Sequence, residues 1–222
     1  MVQPFFEHWQ GPAGELSGWV AVHGASDVNE ANRLADDIVL NGLAIVESRL
    51  DVSVLERLCP ALPEQFAAYA ADSKRPSSDG GDTRVRLKPD CPDLEPLFRD
   101  ELLLTIAARV LRKPFALRYL VSRTVHPTAT CQSLHMDCDV GTGPSQLLAF
   151  IWMLDAFDKN NGATQFIPGS HRGSPAGSPV LATGPVGSLI IYDRAILHGY
   201  TPNQSNADRR SIQGGFDPIT EG

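Results

Sequence analysis

Gln132-Ser133-Leu134-His135-Met136-Asp137 is the most informative stretch of the chain. In an extended strand, side chains two residues apart point to the same face. His135 and Asp137 therefore present an imidazole and a carboxylate to one side, as a metal would require. A third ligand must come from elsewhere. His198 ends the apolar run Gly187-Ser-Leu-Ile-Ile-Tyr-Asp-Arg-Ala-Ile-Leu-His198 and is the natural candidate. Two imidazoles and one carboxylate on one face of a metal, with the other face open, is the ligand set of non-haem Fe(II) oxygenases. Asp139 also falls on the face of His135, but the tighter His-x-Asp spacing is preferred.

A His-x-Asp triplet alone is a weak signal, and its context strengthens it. After His198 come Gly199-Tyr200-Thr201-Pro202-Asn203 and then Arg209-Arg210-Ser211. An arginine just inside the next strand can hold a carboxylate in a bidentate fork. A 2-oxo acid that chelates a metal at one end needs such an anchor at the other. Alternation sends only one of Arg209 and Arg210 inward, and a slip of one residue exchanges them.

Working outward, the second half of the chain is strand-like. Phe115–Val125, Gln146–Leu154, Gly162–Ile167, Ser188–Tyr192 and Ser211–Phe216 are short runs, β-branched or aromatic, bounded by Gly, Pro or Asn. Many short strands with turn signals predict a sandwich or barrel. The first third reads as helical with one strand. Ser26 or Asp27 is placed to cap a helix through Val39, with Leu34, Ile38 and Leu40 near one face and Gly42 just beyond. Leu43–Val46 fits a strand, and Asp51 caps a second helix that resumes at about Pro63 to Ala71. Ser73–Asp82 reads as a polar loop. Glu95–Leu111 is the best helix, with Leu97, Leu104, Ala108 and Leu111 at helical spacing and Lys113-Pro114 ending it. Helices first and strands later imply an α+β, mainly β domain: an antiparallel core with helices packed on one side.

The chain has 222 residues, enough for one sizeable core, and its 42% hydrophobic and 20% charged content excludes wholesale disorder. Nineteen basic against 26 acidic residues give a net charge of −7, which disfavours nucleic acid and anionic membranes as partners. The apolar runs are too short to span a bilayer. The opening Met1-Val-Gln-Pro-Phe-Phe-Glu-His-Trp-Gln10 lacks the pattern of a signal peptide. Four cysteines without a CxxC pair suit reduced thiols. A cytoplasmic location is expected.

Three stretches together carry a family resemblance: Gln132–Asp137, Asn161-Gly-Ala-Thr-Gln-Phe-Ile-Pro-Gly-Ser-His171, and Gly187–Asn203 with Arg209. The chain resembles the phytanoyl-CoA dioxygenase-like (PhyH-like) branch of the Fe(II)/2-oxoglutarate oxygenases. The match covers the C-terminal half well and the N-terminal half loosely. It implies a double-stranded β-helix (jelly-roll, cupin-like) core over about 115–218, with N-terminal and flanking helices over about 1–114, in a single domain spanning 1–222. It implies Fe(II) held by His135, Asp137 and His198, with 2-oxoglutarate and O2 as cosubstrates. Arg209, eleven residues after His198, takes the family's anchoring position; Arg210 is the alternative. Gln132 fits a cosubstrate hydrogen-bonding position, and Thr164 is a second such candidate. The carboxylate at Asp137 implies hydroxylation, desaturation, ring formation or epimerisation rather than halogenation, with release of succinate and CO2. The stretch between His171 and the strand before His198 is short where relatives often carry a long insert, so the pocket is expected to be open or completed by a partner subunit.

Trp152 is a candidate either for core packing or for lining the substrate pocket. Arg84, Arg86 and Lys88 alternate in Thr83-Arg-Val-Arg-Leu-Lys-Pro89, as a solvated strand face or as a cationic patch for an acidic substrate group; Arg84 and Arg86 are carried forward as substrate candidates. His171 is expected to be a turn or hydrogen-bonding residue, and no partner is assigned to His126. The expected substrate is a small molecule: a secondary metabolite, an amino-acid derivative or an acyl conjugate. Two alternatives stand beside this reading: a cupin-like metal enzyme without 2-oxoglutarate, and a non-catalytic β-helix binding module.

Overall fold

The computed structural model describes residues 5–11, 14–20, 25–58, 75–76, 81–89, 91–138, 147–173 and 177–219. The chain opens with an antiparallel pair, β1 (Phe5–Gly11) and β2 (Gly14–Val20). There follow α1 (Ala25–Asn41), β3 (Leu43–Val46), α2 (Val52–Leu58), β4 (Arg75–Pro76) and β5 (Asp82–Arg86). A single 3-10 turn leads into the short α3 (Glu95–Phe98) and then α4 (Glu101–Leu111). The remaining strands are β6 (Phe115–Val125), β7 (Leu148–Met153), β8 (Thr164–Phe166), β9 (Val180–Leu181), β10 (Leu189–Asp193), β11 (His198–Tyr200) and β12 (Arg209–Pro218).

Among the described residues these strands form two sheets. The larger runs β2-β1-β6-β12-β7-β10-β3, with β5 also paired to β6 and β4 to β5; the smaller runs β11-β8-β9. All pairings are antiparallel except the contact of β1 with β6. The sequence Leu148-Ala-Phe-Ile-Trp-Met153 explains how the sheets stack. A strand apolar at every position is buried on both faces. Leu148, Phe150 and Trp152 pack with α1, α3 and α4 in one core. Ala149, Ile151 and Met153 pack with Phe166, Ile190, Tyr192 and Ile196 in a second, between the sheets. This is the jelly roll, with helices on one outer face and the site inside.

The helices depart from expectation in detail. In α1 the buried stripe is Ala31, Leu34, Ala35 and Ile38; Leu40 turns outward and is 60% exposed, because it lies two residues beyond Ile38, about 200° around the helix. Gly42 ends this helix with φ +89° and its N–H on the Ile38 carbonyl. A Cβ there would lie 2.6 Å from His171 Nδ1, so glycine is needed for both shape and space. Glu95–Leu111 is not one helix. Asp100 adopts a non-helical backbone and accepts the Leu103 N–H at 2.9 Å, capping a new start. The expected helix at 63–71 lies outside the described residues, as does most of the polar loop before Asp82.

Among the described residues, the N-terminal part holds strands as well as helices. β1, β3 and β5 join the same sheet as β6, β10 and β12, so strands from both sides of residue 114 share one layer. No helix among the described residues is long and apolar enough to cross a membrane.

Candidate metal centre and active site

The segment carrying His135 and Asp137 lies antiparallel to β11. His135 and His198 exchange both backbone hydrogen bonds, N–H to carbonyl at 3.0 and 2.9 Å. On either side, Gln132 N–H donates to Tyr200 and Asp137 N–H to Arg194. Gly199 permits this approach: a Cβ there would sit 2.8 Å from the Gln132 carbonyl oxygen.

The pairing brings the side chains together. One ligand atom from each of His135, Asp137 and His198 lies within 4.8 Å of the others. His135 Nε2 is 3.7 Å from Asp137 Oδ1, and His198 Nε2 is 3.8 Å from Asp137 Oδ2. Two atoms each bound at about 2.1 Å to one metal can be no more than about 4.2 Å apart, so these separations fit a shared ion. Each Nδ1 faces a carbonyl two residues back, Ser133 for His135 at 3.0 Å and Ile196 for His198 at 2.9 Å. A carbonyl only accepts, so Nδ1 carries the proton and Nε2 keeps its lone pair for a metal. Burial between Phe166 and Tyr192 pushes the His198 pKa down to about 4 against the opposing pull of Asp137, which keeps the ring neutral. The donor set therefore suits a divalent first-row metal.

Arg209 and Arg210 have opposite environments. Arg210 is forked onto Asp155, with Nε to Oδ2 at 2.8 Å and Nη2 to Oδ1 at 2.6 Å. Arg209 is 1% exposed and has no carboxylate partner among the described residues. Its Nη2 donates to the Gly162 carbonyl at 2.8 Å and its Nη1 to Ser211 Oγ at 3.2 Å, while Nε is unpartnered. The guanidinium lies 4.2 Å from the centre of the Phe157 ring. Burial, then the charge of Arg123, lowers its pKa to about 9. A cation buried without a counter-ion is expensive and is retained where a ligand supplies the anion.

Strand register places the other candidates. Thr164 is opposite Tyr200 and two residues from Phe166, which is opposite His198; Thr164 therefore shares the inner face with His198, and it is buried. Gln132 is buried and its Oε1 accepts from Arg123 Nη2 at 2.8 Å. A guanidinium only donates, so the oxygen must face Arg123 and the NH2 end is left to donate elsewhere. Trp152 does not line the site. Alternation turns it to the helix side, where its indole N–H donates to the Leu97 carbonyl at 2.6 Å. Arg84 and Arg86 lie on the inner-face positions of β5, Arg84 half-buried and Arg86 exposed.

The sequence reading missed Asp82, Arg123, Tyr192 and Tyr200. Asp82 is buried and accepts from Arg123 Nε at 2.7 Å, Arg84 Nε at 3.1 Å and Tyr200 Oη at 3.3 Å. Arg123 stacks 4.7 Å over the Tyr200 ring. The two arginines inside the otherwise apolar strand Phe115–Val125, Arg118 and Arg123, were the available signal. His171 lies near the end of α1, with Nε2 3.2 Å from the Val39 carbonyl, in keeping with its expected structural part. His126 sits between Thr83 Oγ1 at 2.7 Å and Asp208 Oδ1 at 3.0 Å. Asp139 lies outside the described residues.

A jelly roll with two histidines and one carboxylate converging on its inner face defines a class of metal-dependent protein. The chain belongs to the phytanoyl-CoA dioxygenase (PhyH) family, whose model matches residues 38–211. It is 25% identical over 194 residues to "Dioxygenase trt7" of Aspergillus terreus (strain NIH 2624 / FGSC A1156), covering 78% of this chain and 68% of that one. Solved structures share the fold, among them two with a metal and cosubstrate bound. One is the epimerase SnoN in complex with Fe3+, alpha ketoglutarate and nogalamycin RO (TM-score 0.72, 17% identity, 86% of this chain and 85% of that one). The other is HygX from Streptomyces hygroscopicus with nickel, 2-oxoglutarate and hygromycin B bound (TM-score 0.68, 14% identity, 84% and 87%).

Proposed function

We propose that this chain is an Fe(II)- and 2-oxoglutarate-dependent oxygenase that oxidises a small organic substrate. His135, Asp137 and His198 hold the iron, Arg209 receives the far carboxylate of 2-oxoglutarate, and Gln132 and Thr164 donate hydrogen bonds to the cosubstrate. Bound there with 2-oxoglutarate and O2, the iron supplies oxidising chemistry coupled to release of succinate and CO2.

The protein's own part is positioning and exclusion of water. The carbonyls of Ser133 and Ile196 hold both imidazoles in the tautomer a metal needs. Arg209 is pinned by Gly162 and Ser211 before any ligand arrives, so little freedom is lost on binding. Phe157 and the apolar core between the sheets keep the charges in a medium where they act strongly. Asp137 fills the carboxylate position, which favours hydroxylation, desaturation, ring formation or epimerisation over halogenation.

The observation that carries this reading is the buried Arg209, without a carboxylate partner among the described residues, on the same inner face as the His–Asp–His cluster. Aerobic incubation with Fe(II) and 2-oxoglutarate, with succinate read by NMR, tests it. Iron-dependent succinate that is lost in Asp137→Ala is the expected result. Succinate no greater in the wild type than in Asp137→Ala contradicts it.

A further inference from the structure

On the inner face of the large sheet, Arg84 and Arg123 occupy directly opposed positions on the adjacent strands β5 and β6. Like charges placed opposite one another across a sheet destabilise it. Asp82 serves both Arg84 and Arg123, so two guanidinium groups share one carboxylate. Arg123 spends its remaining contacts on Gln132 and the Tyr200 ring and is 7% exposed. Arg84 differs. Its side chain is 41% exposed, and Asp82 is its sole partner among the described residues, through Nε. Its two terminal nitrogens are left to donate.

Arg84 is also tied to the metal centre. Asp82 links it to Arg123, and Arg123 holds Gln132, three residues before His135. An anion entering from solvent meets Arg84 before the inner charges, whose partners are already set.

Counting charge leads to the same residue. Two positive charges from the iron and one from Arg209 balance Asp137 and the two carboxylates of 2-oxoglutarate. Arg123 balances Asp82. Arg84 is then left without a carboxylate of its own among the described residues. We infer that Arg84 docks an anionic group of the substrate, a carboxylate or a phosphate, at the end remote from the carbon that is oxidised. This rests on the oxygenase reading and narrows its substrate class.

The test uses the anaerobic Fe(II)·2-oxoglutarate complex and three probes that share one ring: benzoate, phenyl phosphate and benzamide. Calorimetry gives the affinity, and the visible charge-transfer band of bound 2-oxoglutarate is followed in the same samples. Arg84→Gln, Arg84→Lys and a reference variant of an exposed arginine, Arg172→Gln, are compared with wild type. The expected result is an anion preferred over benzamide by about tenfold or more, as a charge-assisted hydrogen bond provides. Which anion binds tighter identifies carboxylate or phosphate. The preference is lost in Arg84→Gln, partly kept in Arg84→Lys and unchanged in Arg172→Gln. Equal affinities for all three probes, an unchanged preference in Arg84→Gln, or anion binding that abolishes the band each overturn the assignment. A wild type with no band at all defeats the oxygenase reading instead, so the two failures are distinct.

Discussion

His135 and His198 form a hydrogen-bonded antiparallel pair, each donating its backbone N–H to the other's carbonyl. Two imidazoles far apart in sequence are thus placed by main-chain geometry, with ring centres 4.5 Å apart. Side-chain packing then selects the rotamers. The dependence of the centre on the backbone yields a first prediction.

Gly199→Ala should weaken the metal site without touching a ligand. Its Cβ would press on the Gln132 carbonyl and displace the segment that carries His135. Disturbing the support of metal ligands costs about 10–100-fold in affinity. Anaerobic titration with Co(II), read by its visible spectrum, should show a loss in that range with the far-ultraviolet circular dichroism intact.

The two neighbouring arginines should separate cleanly. Arg209→Ala should weaken 2-oxoglutarate binding by about 10–100-fold, the worth of hydrogen bonds to a charged group. Arg210→Ala should leave that affinity within about twofold, because its partner Asp155 is a structural one. Calorimetry on the two variants decides the matter. Equal losses would mean that Arg209 is not the anchor.

Asp82 should matter for stability as well as for the site. Asp82→Asn leaves Arg123 buried beside a neutral amide, and breaking a buried ion pair at one partner costs about 3–5 kcal/mol. Urea unfolding of the metal-free protein should show a lower midpoint by the corresponding amount. A change below about 1 kcal/mol, the level of a surface pair, would show that the pair is solvated.

Trp152→Phe should act on the fold alone. It removes the N–H that serves the Leu97 carbonyl and leaves a small void, for about 1–3 kcal/mol. Binding of 2-oxoglutarate should not change. A variant of normal stability with altered 2-oxoglutarate affinity would put this indole in the site after all.

Much of this was legible in the chain because strand alternation is a strict rule. It placed His135 and Asp137 on one face and separated Arg209 from Arg210. The apolar runs from Phe115 onward mark the strands to within a few residues. Alternation alone did not tell which face of Leu148–Met153 looks inward, since every residue there is apolar and both faces are buried; hence Trp152 stayed ambiguous. β1 and β2 were missed because no Asn-Gly, Asp-Gly or Gly-Gly pair lies between Phe5–Gly11 and Gly14–Val20 to signal a hairpin. The pairing of Asp82 with Arg123 was invisible because it joins strands 41 residues apart, and no local pattern encodes such a contact.

The central claim is that one inner face holds both the iron and its cosubstrate. Anaerobic addition of Fe(II) to the protein with 2-oxoglutarate, recording the visible metal-to-ligand charge-transfer band, tests it most directly. The account predicts a band in the wild type that vanishes in Asp137→Ala and needs far more 2-oxoglutarate to saturate in Arg209→Ala. No band in the folded wild type, or one indifferent to Arg209, would contradict it.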